Sequence, residues 1–103
     1  MEQLRVRVEL GHAALEEIDE AAHWYDQQRQ GTGEDLVDAV KQALDTLAQH
    51  PELGPVVIRS RRVRRLPIRR FPYQIVYQLH PDALNIIAFA HTSRRPSYWR
   101  NRL

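Results

Sequence analysis

The hydrophobic period of this chain switches from helical to strand-like across Pro51-Glu52-Leu53-Gly54-Pro55, and that change restricts the folds open to it. Between Gly11 and Pro51, apolar residues return every three or four positions. Ala14, Leu15, Ile18, Ala21, Ala22 and Tyr25 make one such series, with Glu16, Glu17, Asp19 and Glu20 on the other side, which is an amphipathic helix of about four turns. Leu36, Val37, Val40, Leu44, Leu47 and Ala48 make a second, ended by Pro51, Gly54 and Pro55. Gly31-Thr32-Gly33 separates the two. It lacks the lysine and spacing of a phosphate loop and reads as a helix connector. So short a loop predicts antiparallel helices sharing an apolar face.

The flanking segments alternate with period two. Leu4, Val6 and Val8 interleave with Arg5, Arg7 and Glu9 in an opening strand. Beyond Pro55, strands are expected at Val56 to Ile58, Arg61 to Leu66, Tyr73 to Leu79 and Leu84 to His91, with His80-Pro81-Asp82-Ala83 turning the last two into a hairpin. Pro67 and Pro72 lack an amide donor, which puts the segment between them at a bulge or corner. The order β-α-α-β-β-β predicts an α+β fold, a helical hairpin packed on one face of a small, mainly antiparallel sheet, with the other face partly open. At 103 residues the chain is expected to form one domain spanning 1–103. With no cysteine it has no disulfide framework, thiolate zinc site or cysteine nucleophile, as suits a reducing cytoplasm. The apolar run Ile86 to Ala90 is far below the roughly 20 residues that span a bilayer, and Arg5, Arg7 and Glu9 interrupt any signal-peptide core, so neither membrane nor export is expected.

Charge is as unevenly distributed as the period. The first 52 residues hold twelve acids against Arg5, Arg7, Arg29 and Lys41, whereas the last 51 hold eleven arginines against Asp82 alone. The formal net charge of +2 conceals this split, which points to a polyanionic or acidic partner. Arginine in place of lysine favours paired hydrogen bonds to phosphate or carboxylate. Period two sends Arg61 and Arg65 to one face and Arg62 and Arg64 to the other, and both faces cannot be core. This strand is therefore expected to be twisted, at an edge or over a groove. Arg69, Arg70, Arg94 and Arg95 join the same surface if the sheet brings the strand ends together.

The tail His91-Thr92-Ser93-Arg94-Arg95-Pro96-Ser97-Tyr98-Trp99-Arg100-Asn101-Arg102 follows Arg69-Arg70-Phe71-Pro72-Tyr73-Gln74-Ile75-Val76-Tyr77 by one hairpin. With the alanine-rich first helix and the exit His50-Pro51-Glu52-Leu53-Gly54-Pro55, these segments resemble the RelE/ParE superfamily of bacterial toxin-antitoxin modules over nearly the whole chain. The resemblance implies a small cytoplasmic toxin, of the kind tied to plasmid stabilisation, neutralised by a cognate acidic antitoxin whose C-terminal segment wraps over it. ParE-type members inhibit DNA gyrase; RelE-type members cut messenger RNA in the ribosomal A site without a metal. Arg95-Pro96 and Tyr98-Trp99 align the tail more with the ParE-like group, and no cofactor or metal is implied. A homodimer and a toxin-antitoxin hetero-oligomer both stay open. So does a non-toxic module that only binds antitoxin.

The nuclease alternative makes chemical demands of its own. Metal-free RNA cleavage needs a base for the 2′-hydroxyl, cations around the transition state and an acid for the leaving oxygen. His91, Arg69, Arg95 and Tyr98 are the candidate catalytic set if the chain is a ribonuclease, with Tyr73 or Tyr98 able to stack a base. RelE-like enzymes also use lysines on the sheet, and the second half here has none. Arg61, Arg62, Arg64, Arg65, Arg70, Arg94 and Arg100 are the candidates for binding target or antitoxin. Plainer roles compete: His91 as a bond to the tail, Tyr73 and Tyr77 as core, Trp24 and Tyr25 as helix packing, and Trp99 as the anchor of a tail folded back on the sheet.

Overall fold

The computed structural model describes residues 5–103, so the expected strand position Leu4 lies outside the described residues. The elements run β1 (Arg7–Leu10), α1 (His12–Gln28), α2 (Thr32–Gln49), β2 (Val56–Ile58), β3 (Val63–Pro67), β4 (Tyr73–Leu79) and β5 (Ala83–His91), with single 3-10 turns at Arg59–Arg61 and Arg100–Arg102. This is the expected β-α-α-β-β-β order. The strands lie side by side as β1-β5-β4-β3-β2. β1 runs parallel to β5, and every other neighbouring pair is antiparallel.

Both helices bury one stripe against the sheet. Ala14, Ile18 and Ala21 of α1 and Leu36, Val40 and Leu47 of α2 pack with Ile75, Tyr77, Leu79, Leu84, Ile86 and Phe89. The helix connector is shorter than expected, because Thr32 and Gly33 belong to the first turn of α2. Local sequence reads these residues as a breaker, but the Asp26 carboxylate of α1 accepts from the Gly31 and Gly33 amides, 3.1 and 2.9 Å away, and so caps the second helix. Gly33 is also where the helices touch. A Cβ there would lie 2.3 Å from the Ala22 carbonyl oxygen. In an exposed helix glycine to alanine is stabilising by about 1 kcal/mol; Gly33→Ala is instead expected to destabilise by about 2–3 kcal/mol, measured by urea unfolding.

The other face of the sheet carries a second, smaller core. Tyr77 pairs with Ile86 and Val76 with Ala88, so Ile87 is an extra residue in β5. This bulge puts Ile87 and Ala88 together in a cluster with Val63, Val76 and Ala90, capped by Trp99. Trp99 is 4% exposed, so the tail does fold back on the sheet and the face is only partly open. Trp24 departs from expectation: it is 53% exposed, while its neighbour Tyr25 packs edge-on against Phe71.

Strand β3 begins later than Arg61. Arg59–Arg61 form a 3-10 turn and Arg62 takes a left-handed conformation at φ 57°. The turn is held from β4, where the Gln78 side chain donates to the Arg61 carbonyl and the Leu79 amide to that of Arg62. Only Arg64 and Arg65 of the expected run therefore lie on the strand. Arg64 pairs opposite Tyr77 of the first core and Arg65 opposite Val76 of the second, so they do point to opposite faces. Pro67 closes β3 and Pro72 immediately precedes β4; the segment between them turns the corner, with Arg70 at φ 71°.

Candidate functional site

On the tail side of the sheet, Val76 and Ala90 form the floor of a groove walled by Arg65, Val57 and the segment from His91 to Trp99. No carboxylate lines it. Arg65 donates to the Gln74 Oε1 at 3.1 Å. His91 ends β5 opposite Tyr73, its ring edge-on to that tyrosine at 5.0 Å. Its Nδ1 accepts from the Ser93 amide at 3.0 Å and sits 2.7 Å from the Ser93 hydroxyl. An imidazole nitrogen that accepts from an amide carries no proton, so this network assigns the proton to Nε2. His91 is thus engaged with the tail, and its Nε2 proton remains a donor.

The tail is fastened by a residue that helical periodicity assigns to solvent. Strand β1 ends at Leu10, and the Gly11 amide makes the last backbone bond on that side of β5, to Ile86. Further along, side chains replace the missing strand: Glu17 Oε1 accepts from the Phe89 amide at 3.0 Å, and Arg102 donates to the Ile87 carbonyl at 3.1 Å. Arg102 meets the Glu17 carboxylate with two nitrogens, at 2.9 and 3.2 Å, and the Tyr98 hydroxyl donates to it at 2.7 Å. Arg94 completes the group at 3.4 Å, stacked over the Tyr98 ring at 3.7 Å. The Glu17 side chain is 12% exposed.

Burial works to raise the Glu17 carboxyl, but hydrogen bonds from Arg102, Tyr98 and the Phe89 amide, with the Arg102 charge, outweigh it and hold the group below its ordinary value. Burial and the neighbouring Glu17 push the Tyr98 phenol up. Tyr98 therefore stays protonated as a hydrogen-bond donor to a carboxylate. Neither Glu17 nor Arg102 stands out in the sequence. One faint signal exists: Glu17 is one step away from the apolar stripe residue Ile18, where a helix meets the rim of its sheet.

The remaining arginines do not share one surface. Arg64 donates to the carbonyls of Glu52 and Gly54, at 2.9 and 2.8 Å, locking the exit of α2. The buried Tyr77 hydroxyl accepts from the Gly54 amide at 2.9 Å in the same corner. Arg69 and Arg70 lie beside Asp35 and Asp38 of α2, and Arg70 approaches the Phe71 ring. Arg61 and Arg62 are exposed in the turn before β3, and Arg100 is exposed in the last 3-10 turn. Pairing of Tyr73 with His91 brings the strand ends together as anticipated, yet their arginines diverge to different grooves. Of the four candidate catalytic residues, His91, Arg95 and Tyr98 line the tail-side groove and Arg69 does not. Among the described residues, no group of three or more histidine, cysteine, aspartate or glutamate side chains is placed to hold a metal ion, and no helix is long and apolar enough to cross a membrane.

Comparison with known proteins agrees with this architecture. The chain is similar in fold to a solved chain of the chromosomal ParDE toxin-antitoxin system from P. aeruginosa, with a TM-score of 0.74 at 15% identity, covering 86% of this chain and 98% of that one. Comparison of the sequence with curated proteins finds no match. The sequence model of the ParE toxin of the type II toxin-antitoxin system parDE matches residues 8–96, which include both helices, all of the sheet but the first residue of β1, and the start of the tail, and the chain therefore belongs to the ParE toxin family, whose members are paired with an antitoxin.

Proposed function

We propose that residues 1–103 act as one toxin domain in the bacterial cytoplasm, arresting growth by non-enzymatic contact with DNA gyrase until a cognate acidic antitoxin neutralises it. The observation that carries the choice of target is that the nuclease set is incomplete in the tail-side groove. Arg69 lines a groove with α2, Tyr98 is bound to Glu17, and only His91 and Arg95 keep free donors in the tail-side groove. Acid-base catalysis requires its groups within hydrogen-bond reach of one reacting phosphate.

Induction in bacteria is expected to stop growth with a DNA-damage response and intact messages, and the purified protein is expected to block supercoiling by gyrase. His91→Ala is expected to leave the arrest within about twofold of the unmodified protein, because removing a general acid or base costs a ribonuclease 10²–10⁴-fold and costs a protein contact far less. Cleavage at ribosomal A-site codons that disappears with His91→Ala would replace this reading by the ribonuclease. Continued growth despite soluble expression would leave the antitoxin-binding module.

A further inference from the structure

We infer that the tail-side groove seats the phosphodiester backbone of the DNA that gyrase holds, so that the toxin grips enzyme and DNA together; this rests on the reading of the chain as a gyrase inhibitor. Two exposed cations face the groove from distant parts of the chain, Arg65 on β3 and Arg95 in the tail. The neutral Gln74 oxygen, 3.1 Å from Arg65, fixes the direction of that guanidinium and leaves its charge unanswered. Arg95 and the hydroxyls of Thr92 and Ser97, on the same walls, have no hydrogen-bond or charge partner among the described residues. Arg94 is paired with Glu17, which Arg102 answers a second time, so no surplus carboxylate charge opposes an anion here.

The remaining lining identifies which part of a nucleic acid fits. Trp99 is 4% exposed and Tyr98 has Arg94 stacked over its ring, so neither the tryptophan nor the tyrosine of the groove is open for a base to stack on. With no carboxylate on the walls and the Gln74 oxygen taken by Arg65, no charged acceptor is offered to a 2′-hydroxyl or a base edge. What is left is recognition of backbone charge, which is independent of sequence. The groove holds about 260 Å³, below the roughly 300–1,000 Å³ of pockets that take a whole small ligand, and suits one phosphate with its neighbouring sugars. Duplex DNA carries one charge per roughly 1.7 Å of its length, a density that a folded protein surface does not approach. A toxin that touches this DNA and the enzyme at once holds the two together, in keeping with the DNA-damage response expected on induction. His91 adds only its Nε2 proton, which keeps the cost of His91→Ala small. The competing source of the anion is an acidic surface of gyrase itself.

The test measures the affinity of the toxin for purified gyrase with and without bound linear duplex DNA. DNA is expected to tighten binding of the unmodified toxin by about tenfold at low salt, and the gain is expected to fade as salt rises. Arg65→Gln with Arg95→Gln should abolish this gain while leaving affinity for DNA-free gyrase within about twofold. Arg29→Gln with Lys41→Gln removes the same charge from the helices and should keep the gain, which separates a local seat from net charge. If DNA leaves the affinity of the unmodified toxin unchanged, or the groove variant weakens binding equally with and without DNA, the groove meets the protein and the DNA seat is overturned while gyrase remains the target. Absence of binding to gyrase in either state overturns the gyrase reading and the seat with it.

Discussion

Glu17→Ala is expected to lower stability by about 3 kcal/mol and to release the C-terminal tail. The substitution removes a single acceptor on which the Phe89 amide, Tyr98, Arg94 and both terminal nitrogens of Arg102 converge. Arg102 is 26% exposed at its side chain and can be partly rehydrated, which keeps the loss toward the low end for a broken buried pair. In a domain of this size the melting temperature should fall by roughly 10–20 °C. Glu17→Gln should recover only part of it, since an amide offers one oxygen and turns two donors toward other donors. The effect carries a pH signature. The folded-state value of Glu17 is held below its unfolded one, so its contribution is complete above the ordinary glutamate range and is lost as pH falls through the lower folded value. The stability difference between the unmodified protein and Glu17→Gln, measured by denaturant unfolding, should accordingly shrink as the solution is acidified. A difference that is constant from neutral to strongly acid pH would mean that Glu17 acts through packing alone.

Trp99→Ala is expected to cost about 3–5 kcal/mol. Trp99 is the large side chain that covers Val63, Val76, Ile87, Ala88 and Ala90, and without it that face becomes an exposed apolar patch. Thermal melting should show the loss of stability, and dye binding should report the exposed face. Trp99 and Glu17 fasten the same segment from two sides, one by burial and one by charge. Their effects should be less than additive, because a tail already released by one substitution has little left to lose from the other. Full additivity would show that the tail is not a single cooperative unit.

Much of the fold is visible in the order of residues because burial is periodic. Ala14, Ile18 and Ala21 and then Leu36, Val40 and Leu47 mark the stripes that the helices bury, and Tyr73, Ile75, Tyr77 and Leu79 mark the buried face of β4. Proline chemistry likewise places the corner between β3 and β4 at its observed position. Errors arise where a distant group decides a local question. Thr32 and Gly33 are helical because Asp26 of another helix satisfies the turn, and Arg59–Arg61 leave the strand because β4 holds the turn that follows. Trp24 looks like core by composition but is 53% exposed, lining a groove with Tyr73, Phe89 and His91 at the side of the sheet.

The candidate site divides in the same way. The sequence by itself determined the family, the two-helix and five-strand order, and the segregation of arginine into the second half, since each depends on residue type and spacing along the chain. Only the tertiary structure decided what those arginines do. Arg64 holds the helix exit, Arg94 and Arg102 answer a carboxylate on α1, Arg69 and Arg70 line a groove with acids of α2, and Arg61 and Arg62 stay exposed in the turn before β3. The physical reason is range. Periodicity records which side of an element is buried, whereas the partner of a charge is set by contacts dozens of residues away, and Glu17 and Arg102, 85 positions apart, meet only because β1 stops short and leaves the edge of β5 to be satisfied by side chains.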